Sequence, residues 1–374
     1  MRAGVNPYLQ EKSPMTDKKL ILAINPGSTS TKFAVFEDDR PLFEETVRHP
    51  AEDFAGCERI ADQREVRMRY ITEALREHGL PLEKLDAVVG RCGIVAPLSS
   101  GTYEINDLLL QDLHGPAAAI HAACLGGIIA RGLGDQFGIP SYVVDPVTVD
   151  ELIPEARISG IPEIKRLSNF HALNSKAVAR LCAGDLGLDY TDARIVTCHM
   201  GGGISCAAHR YGQAIDTTHG IAGEGPFSPE RCGEVYGQSL VEMSFSGQYT
   251  KEQILAFLQR DGGIKAYLGI NDMREVERRI GEGDEKAKLV LTAMAYQISK
   301  TIATMVVALE GRVDAIALTG GIAYSKLFTD LIKKYVGALA PLRLYPGELE
   351  MEALAGGALR VLCGQERAKS YQGF

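Results

Sequence analysis

The chain begins with an apolar run that predicts a buried strand. KLILAIN, at 19–25, is followed by Pro-Gly-Ser, which is typical of a strand that runs into a turn. TKFAVFEDD then alternates between apolar and polar residues, and PLFEETV follows the turn at Pro41. These three segments predict a β-meander of three strands.

The chain next alternates between helices and strands. A helical pattern, an apolar strand, an apolar helix and a second strand follow at 62–78, 85–90, 117–130 and 141–146. The order in this half is therefore βββαβαβ. The same order begins again with strands in RIVTCHM, GISCAAHR and QAIDTTHG and an amphipathic helix at 287–309. Alternation alone is common in α/β proteins, but each half also starts with a glycine-rich hairpin, INPGSTSTKFAVF or CHMGGGISCAAH. The repeat predicts two related domains around an ATP cleft.

Length and composition narrow the class of protein. At 374 residues the chain exceeds the usual size of one hydrophobic core. Its 40 basic and 48 acidic residues give a net charge of −8, the wrong sign for a nucleic-acid partner. The eight cysteines form no CxxC pair, which predicts reduced thiols in a cytoplasmic protein. The longest uncharged apolar stretch, 117–130, is too short for a membrane span.

Three glycine-rich turns suggest phosphate binding, because glycine lets backbone N–H groups approach phosphate oxygens closely. The candidate residues are Gly27, Ser28, Thr29, Ser30, Gly201, Gly202, Gly203, Gly320, Gly321 and Ile322. In the third turn, TGGIA, a helix N-terminus is expected to face phosphate. Each turn alone is more often an ordinary tight turn. The chain has neither a GxxxxGK[ST] P-loop nor a complete GxGxxG, which argues against P-loop kinases and dinucleotide dehydrogenases.

Longer segments resemble the butyrate kinases of the acetokinase family. They include INPGSTSTKFAVFEDD, VGRCGIVAPLSSGTYEIND, FHALNSKAVA, HMGGGIS, GEGPFSPERCGE, VDAIALTGGIAYSK and ALAGGALRVL, in family order from about Lys18 onward. The resemblance implies two ribonuclease-H-like domains of the actin-like ATPase superfamily. We expect one at 18–145 plus 351–374 and the other at 146–350, after a disordered extension at 1–17. It also implies reversible phosphoryl transfer from ATP to a short-chain carboxylate, with butanoate preferred.

The resemblance further implies a set of anion-binding side chains. Arg91 and Arg231 match the two arginines that bind the carboxylate and the transferring phosphoryl group. His171 and His199 match histidines that contact the transferring and ATP phosphates, and His121 matches one nearer the substrate. Phosphoryl transfer to a carboxylate brings two anions together, so basic side chains and a divalent cation are expected to dominate such a site.

A magnesium site is implied by the same matches. Asp145 matches the catalytic aspartate, Glu350 a magnesium-site glutamate, and Asn25 the residue that orients phosphate and metal ligands. Magnesium is commonly held by one or two carboxylates and several waters, so Asp145 and Glu350 suit it. Glu348 is an alternative to Glu350.

Three residues depart from the family pattern and leave the acyl chain open. Cys124, Thr218 and His219 stand where asparagines are common in the family. Acetate, propionate or a branched-chain carboxylate is therefore an alternative substrate. A different class, an ATP-switched binding protein like actin or the chaperone ATPases, is disfavoured by Arg91 and Arg231, which such a switch does not require. A homodimer or higher homo-oligomer without a membrane partner is expected.

Overall fold

The computed structural model describes residues 18–80, 82–115, 122–221 and 223–373, which form two compact units. Unit 1 ends at Val149 and resumes at Leu349, and unit 2 is Asp150–Glu348. Residues 146–149, together with Leu349 and Glu350, thus group with unit 1, whereas the sequence assigned 146–350 to the second domain. The predicted extension at 1–17 lies outside the described residues.

The first part of unit 1 contains the predicted meander and the strands and helices that follow it. In chain order its elements are β1 (Leu20–Pro26), β2 (Ser30–Glu37), β3 (Arg40–Arg48), α1 (Arg64–Glu77), β4 (Ala87–Gly90), β5 (Thr102–Glu104), α2 (Asp107–Leu113), α3 (Cys124–Phe137) and β6 (Ser141–Val144), with 3-10 helices at Ala51–Phe54, Ile60–Gln63 and Leu82–Lys84. Helix α3 corresponds to the apolar helix predicted at 117–130, of which 117–121 lie outside the described residues. It ends at Gly138, whose φ of 67° suits a left-handed C-cap.

Unit 2 is continuous in sequence, and the chain then returns to unit 1. The elements of unit 2 are α4 (Pro154–Arg157), α5 (Ala172–Asp185), β7 (Arg194–Met200), β8 (Ile204–Arg210), β9 (Gln213–Thr217), α6 (Gly237–Ser244), α7 (Lys251–Gln259), α8 (Gly263–Leu268), α9 (Met273–Gly281), α10 (Glu285–Ala308), β10 (Ala315–Gly320), a 3-10 helix (Gly321–Tyr324), α11 (Lys326–Val336) and β11 (Leu342–Pro346). The returning segment adds α12 (Glu350–Leu362) and β12 (Lys369–Ser370) to unit 1.

The two sheets share one strand order, which confirms the predicted repeat. The order is β12-β5-β6-β4-β1-β2-β3 in unit 1 and β11-β10-β7-β8-β9 in unit 2. In each, an antiparallel meander of three strands is extended by parallel strands on the far side of its first strand. This is the topology of a ribonuclease-H-like domain. The short strands β5 and β12, which the sequence did not predict, extend the sheet of unit 1.

Helix α10 shows how the sequence pattern builds the core of unit 2. Asp284 caps its N-terminus by accepting a hydrogen bond from the N–H of Ala287 at 2.9 Å. Leu291, Met294 and Ile298 are buried at three- and four-residue steps, and each contributes about 1.5–3 kcal/mol of burial free energy. By length and composition α10 is the one helix of the described segments that would suffice to cross a membrane, but half of its apolar stretch is buried inside the unit. A core helix passes the same test.

Candidate active site

One cluster of polar side chains in unit 1 lies where β1 and β4 end. These strands are parallel and pair Ile24 with Gly90, so the next residues, Asn25 and Arg91, are neighbours. Asn25 Nδ2 donates to Glu350 Oε2 at 2.6 Å, and Arg91 Nη1 donates to the same oxygen at 2.9 Å and to Asn25 Oδ1 at 3.3 Å. Glu350, the first residue of α12, is buried. The structure therefore brings these three predicted residues together.

Glycines fix the position of Arg91. A Cβ atom on Gly90 would lie 2.0 Å from the carbonyl oxygen of Gly126, and one on Gly126 would lie 2.3 Å from the carbonyl oxygen of Arg91. The N–H of Gly127 donates to that Arg91 oxygen at 3.1 Å. Helix α3 therefore packs backbone to backbone against the end of β4, and this contact holds the Arg91 main chain in place.

Asp145 is buried just after β6 with a strained backbone. Its φ of 39° is rare for a residue with a side chain. Its Oδ1 accepts hydrogen bonds from Ser100 Oγ at 2.6 Å and from the N–H of Gly101 at 2.8 Å. Asp38, Tyr211 and Glu310 also have a positive φ, and aspartate tolerates this region better than most residues. The catalytic role of Asp145 therefore stays a prediction.

The sequence predicts that Asp145 and Glu350 of unit 1 hold a magnesium ion. No cluster of three His, Cys, Asp or Glu side chains with metal-binding geometry occurs in the described ranges. Magnesium needs only one or two carboxylates and keeps several waters. The hydrogen bonds from Asn25 and Arg91 both go to Oε2 of Glu350, and Oε1 accepts from neither of them. The alternative residue, Glu348, belongs to unit 2, where its Oε1 lies 3.6 Å from His199 Nε2.

The first glycine-rich turn is held by an arginine that the sequence analysis missed. Arg67 of α1 is fully buried, and it donates from Nη1 to the carbonyl of Ser30 at 2.8 Å and from Nη2 to that of Ser28 at 3.0 Å. The carbonyl of Ser28 and the N–H of Thr29 belong to one peptide group and point in opposite directions. Because Arg67 binds the carbonyl, the N–H of Thr29 is held on the opposite side of the turn. Burial lowers the pKa of Arg67 to about 10. The available signal was its place four residues before Ile71, on the apolar face of α1.

In unit 2 the two predicted histidines are stacked. The rings of His171 and His199 lie with centroids 3.8 Å apart and an angle of 12° between their planes. His171 precedes α5, and its Nδ1 lies 2.8 Å from Ser205 Oγ of β8. His199 is near the end of β7, and its Nδ1 lies 2.9 Å from Asn174 Nδ2 of α5. Ser205 and Asn174 were not predicted.

Arg231 lies directly over the second glycine-rich turn. A Cβ atom on Gly203 would lie 2.2 Å from Arg231 Nη1, so any other residue here would force the guanidinium to move. Nη1 donates to the carbonyl of Gly220, whereas Nε is buried without a hydrogen-bond partner among the described residues. Ser228 ties the loop to the turn by donating to the carbonyl of Gly202 at 2.6 Å and accepting from the N–H of Arg231 at 3.0 Å. Burial lowers the pKa of the guanidinium.

The third turn differs from the prediction at its helix. Gly320 has a φ of 88°, and a Cβ atom there would lie 2.3 Å from the carbonyl oxygen of Met200, whereas one on Gly321 would meet open space. A 3-10 helix follows at once, and the N-terminus of α11 is capped by Ser325 Oγ, which accepts from the N–H of Phe328 at 3.0 Å. Ser325 satisfies one N–H of the first turn of α11, and the expectation that a helix N-terminus faces phosphate here stays a prediction.

The residues that depart from the family pattern have structural contacts. Cys124 is buried against Gly93, and burial raises the pKa of its thiol to about 11. Thr218 Oγ1 accepts from the N–H of Cys206 at 3.0 Å, and the N–H of His219 donates to Glu224 at 2.8 Å. The predicted substrate residue His121 lies outside the described residues.

Two solved structures have a fold similar to that of this chain. The fold is similar to that of an acetate kinase from Porphyromonas gingivalis, with a TM-score of 0.75, 20% identity and coverage of 92% of this chain and 100% of the other. It is also similar to that of a propionate kinase from Francisella tularensis, with a TM-score of 0.74, 20% identity and coverage of 90% and 98%. These likenesses confirm a fold of two ribonuclease-H-like, actin-like ATPase domains.

The sequence defines the family. Residues 162–339 match the acetokinase family model. The chain is 48% identical to Butyrate kinase 2 of Clostridium acetobutylicum over 352 residues, which cover 94% of this chain and 99% of that protein. The chain belongs to the acetokinase family.

Proposed function

We propose that this chain transfers the γ-phosphoryl group of ATP to a short-chain carboxylate, with butanoate as the preferred acceptor: butanoate + ATP = butanoyl phosphate + ADP. Membership of the acetokinase family and the extensive identity to a butyrate kinase support this reaction and the use of ATP. The reaction forms a bond between a carboxylate oxygen and phosphorus and breaks the bond between phosphorus and the β–γ bridging oxygen.

The observation that carries the proposal is the state of Arg231. Arg231 is half-buried, its Nε has no hydrogen-bond acceptor among the described residues, and the charge of neighbouring Glu230 only partly offsets the cost of burial. An anionic ligand over the Gly203 turn would supply further negative charge and the missing acceptor. Arginine suits this task because its planar fork can bind two oxygens of one phosphoryl or carboxylate group.

Unit 1 is proposed to hold the carboxylate and magnesium. A carboxylate needs no deprotonation before attack, so the protein has to neutralise and align the two anions. Arg91 would neutralise the acceptor, and Glu350 and Asp145 would hold Mg²⁺, with Asn25 orienting Glu350. Magnesium, when bound, offsets the negative charge of the phosphates. The pairing of Arg91 and Asn25 with Glu350 supports a shared role for these side chains.

Unit 2 is proposed to hold ATP and stabilise the transferring group. Arg231 and His171 would contact the transferring phosphoryl, and His199 an ATP phosphate. The backbone of the turns would contact the nucleotide, through Gly201, Gly202, Gly203, Gly320, Gly321 and Ile322, together with Gly27, Ser28, Thr29 and Ser30 of unit 1. Preorganised charge of this kind is commonly the largest contribution to catalysis.

A hydroxamate assay tests the proposal, because hydroxylamine traps an acyl phosphate. We expect ATP-dependent product with butanoate, propionate and acetate, in that order. Arg231→Lys keeps the charge but loses the fork, so kcat should fall on the order of 10²-fold with little change in the KM for ATP. Arg278→Lys is the matched control, because Arg278 is an exposed arginine of the same unit that pairs with Glu275 and Glu282. ATP hydrolysis without hydroxamate from any carboxylate would instead indicate an ATP-switched protein.

Oligomeric state and location are further parts of the proposal. We propose a cytoplasmic homodimer or higher homo-oligomer that acts on free carboxylate and ATP. Tyr236 and Phe245, at the two ends of α6, are both 87% exposed, which favours burial by another copy of the chain. Light scattering coupled to size-exclusion chromatography would reveal a monomer if this is wrong.

A further inference from the structure

A buried chain of polar groups in unit 2 runs from a loop carbonyl to His199. Thr319 Oγ1 lies 3.0 Å from the carbonyl oxygen of Gly347 and 3.2 Å from Asn174 Nδ2. Asn174 Nδ2 in turn lies 2.9 Å from His199 Nδ1. Thr319, Asn174 and His199 are all at least nine-tenths buried. Groups so deeply buried have to match donor with acceptor at each contact.

The direction of each hydrogen bond follows from the first. A carbonyl oxygen only accepts, so the Thr319 hydroxyl donates its one proton to the carbonyl of Gly347. The hydroxyl oxygen must then be the acceptor in the hydrogen bond with Asn174. The group of Asn174 that faces Thr319 is therefore its NH2 and not its carbonyl oxygen. The same NH2 faces His199 Nδ1, which must then be the unprotonated, accepting ring nitrogen. The ring proton lies on Nε2.

We infer that Asn174, oriented by Thr319, is a positioning residue that holds His199 in the Nε2–H tautomer. The other ring nitrogen is consistent with this tautomer, because Nε2 lies 3.6 Å from a carboxylate oxygen of Glu348, which favours a proton on Nε2. The Nδ1–H tautomer is disfavoured, because its proton would face the Asn174 NH2.

The catalytic consequence rests on the proposed function. With the proton fixed on Nε2, His199 has an N–H that a phosphate oxygen of ATP can accept in place of the Glu348 carboxylate, whose Oε1 lies 3.6 Å away. A histidine with the other tautomer would present a lone pair to the same anion and repel it. Asn174 thus acts on ATP binding through His199, without touching the nucleotide.

Nitrogen NMR of ¹⁵N-histidine-labelled protein tests the tautomer directly, since a protonated and a bare ring nitrogen resonate far apart. Comparison with His199→Gln assigns the signals. The native protein should show a protonated Nε2 and a bare Nδ1. In Asn174→Asp a carboxylate faces Nδ1, and the proton should move there. Thr319→Val should give mixed tautomers, and Thr319→Ser should restore the native one. A protonated Nδ1 in the native protein, or an unmoved proton in Asn174→Asp, overturns the inference.

Kinetics test the consequence. Losing a hydrogen bond to a charged phosphate should lower kcat/KM for ATP by on the order of 10- to 100-fold in Asn174→Asp, with an unchanged KM for the carboxylate. Ser175→Ala is the matched control, because Ser175 is the next residue of α5, fully buried, and its hydroxyl has no hydrogen-bond partner among the described residues. If Asn174→Asp does not fold, the Thr319→Val and Thr319→Ser pair decides between the outcomes. If the native protein lacks kinase activity, the proposed function fails while the NMR experiment still tests the tautomer.

Discussion

Replacing Gly203 by alanine would test whether the second glycine-rich turn exists to admit Arg231. The new Cβ would lie 2.2 Å from Nη1 and 2.5 Å from Cζ of Arg231, so the guanidinium has to move by about 1 Å to regain van der Waals distance. A displacement of that size at a group that aligns reactants costs about 10²-fold in kcat. Stability should change little, because the backbone of Gly203 is not left-handed and the methyl group displaces only a side-chain end.

The assay is the hydroxamate rate at saturating ATP, with thermal unfolding as the check on folding. Gly202→Ala is the comparison within the same turn. Its Cβ would lie 3.4 Å from a Glu230 oxygen, an ordinary contact, so its loss should be at least about tenfold smaller.

A double-mutant cycle with Arg231→Lys supplies the refutation. If Gly203→Ala acts by moving the guanidinium, it should cost little more once Arg231 is lysine, because coupled residues are not additive. Fully additive losses in kcat would show that the turn does not act through Arg231.

Three further predictions follow from the same structure. Glu350→Gln should raise the Mg²⁺ concentration needed for half-maximal rate, because it removes a carboxylate; an unchanged titration would direct the search to Glu348. Butanoate should exceed acetate by roughly 15-fold in kcat/KM, at about 0.8 kcal/mol for each of two extra methylenes, and a ratio below one would contradict the preference. Burial, then nearby Lys176 and Arg180, hold the pKa of His209 well below 6.5. Below about pH 6.5 the His209 ring is then protonated only in the unfolded chain. The unfolding free energy measured in urea should therefore fall as the pH is lowered, by up to about 1.4 kcal/mol per pH unit, and His209→Gln should flatten that slope.

The sequence predicted the elements whose pattern is local. The meander and α10 were recognisable because apolar residues recur at strand or helix spacing over many residues. Strand β5 has only three residues, too few for a periodic signal, and it is a strand because it pairs with β6. The helices between 237 and 281 were likewise missed; α6, for example, has no buried residue to mark an apolar face.

The residues of the candidate site likewise fall into those that the sequence indicated and those that it did not. Asn25 and Arg91 were predicted from the family resemblance, and both lie at the ends of apolar strands, which parallel pairing brings together. Arg67 offered only its place on the apolar face of a helix, and Asn174 and Ser205 offered no signal, because their hydrogen bonds join segments distant in sequence. The role of such residues depends on tertiary packing that no local pattern records.

The late position of α12 has a consequence for synthesis. The hydrogen bond between Asn25 and Glu350 joins residues 325 positions apart, and α12 packs against the strands of unit 1 that are made first. Unit 2 is continuous, so it is able to fold before α12 is synthesised, whereas the sheet of unit 1 lacks this helix until α12 emerges from the ribosome. The carboxylate of Glu350 meets Asn25 and Arg91 only then, so a nascent chain that has not reached α12 has no complete cluster.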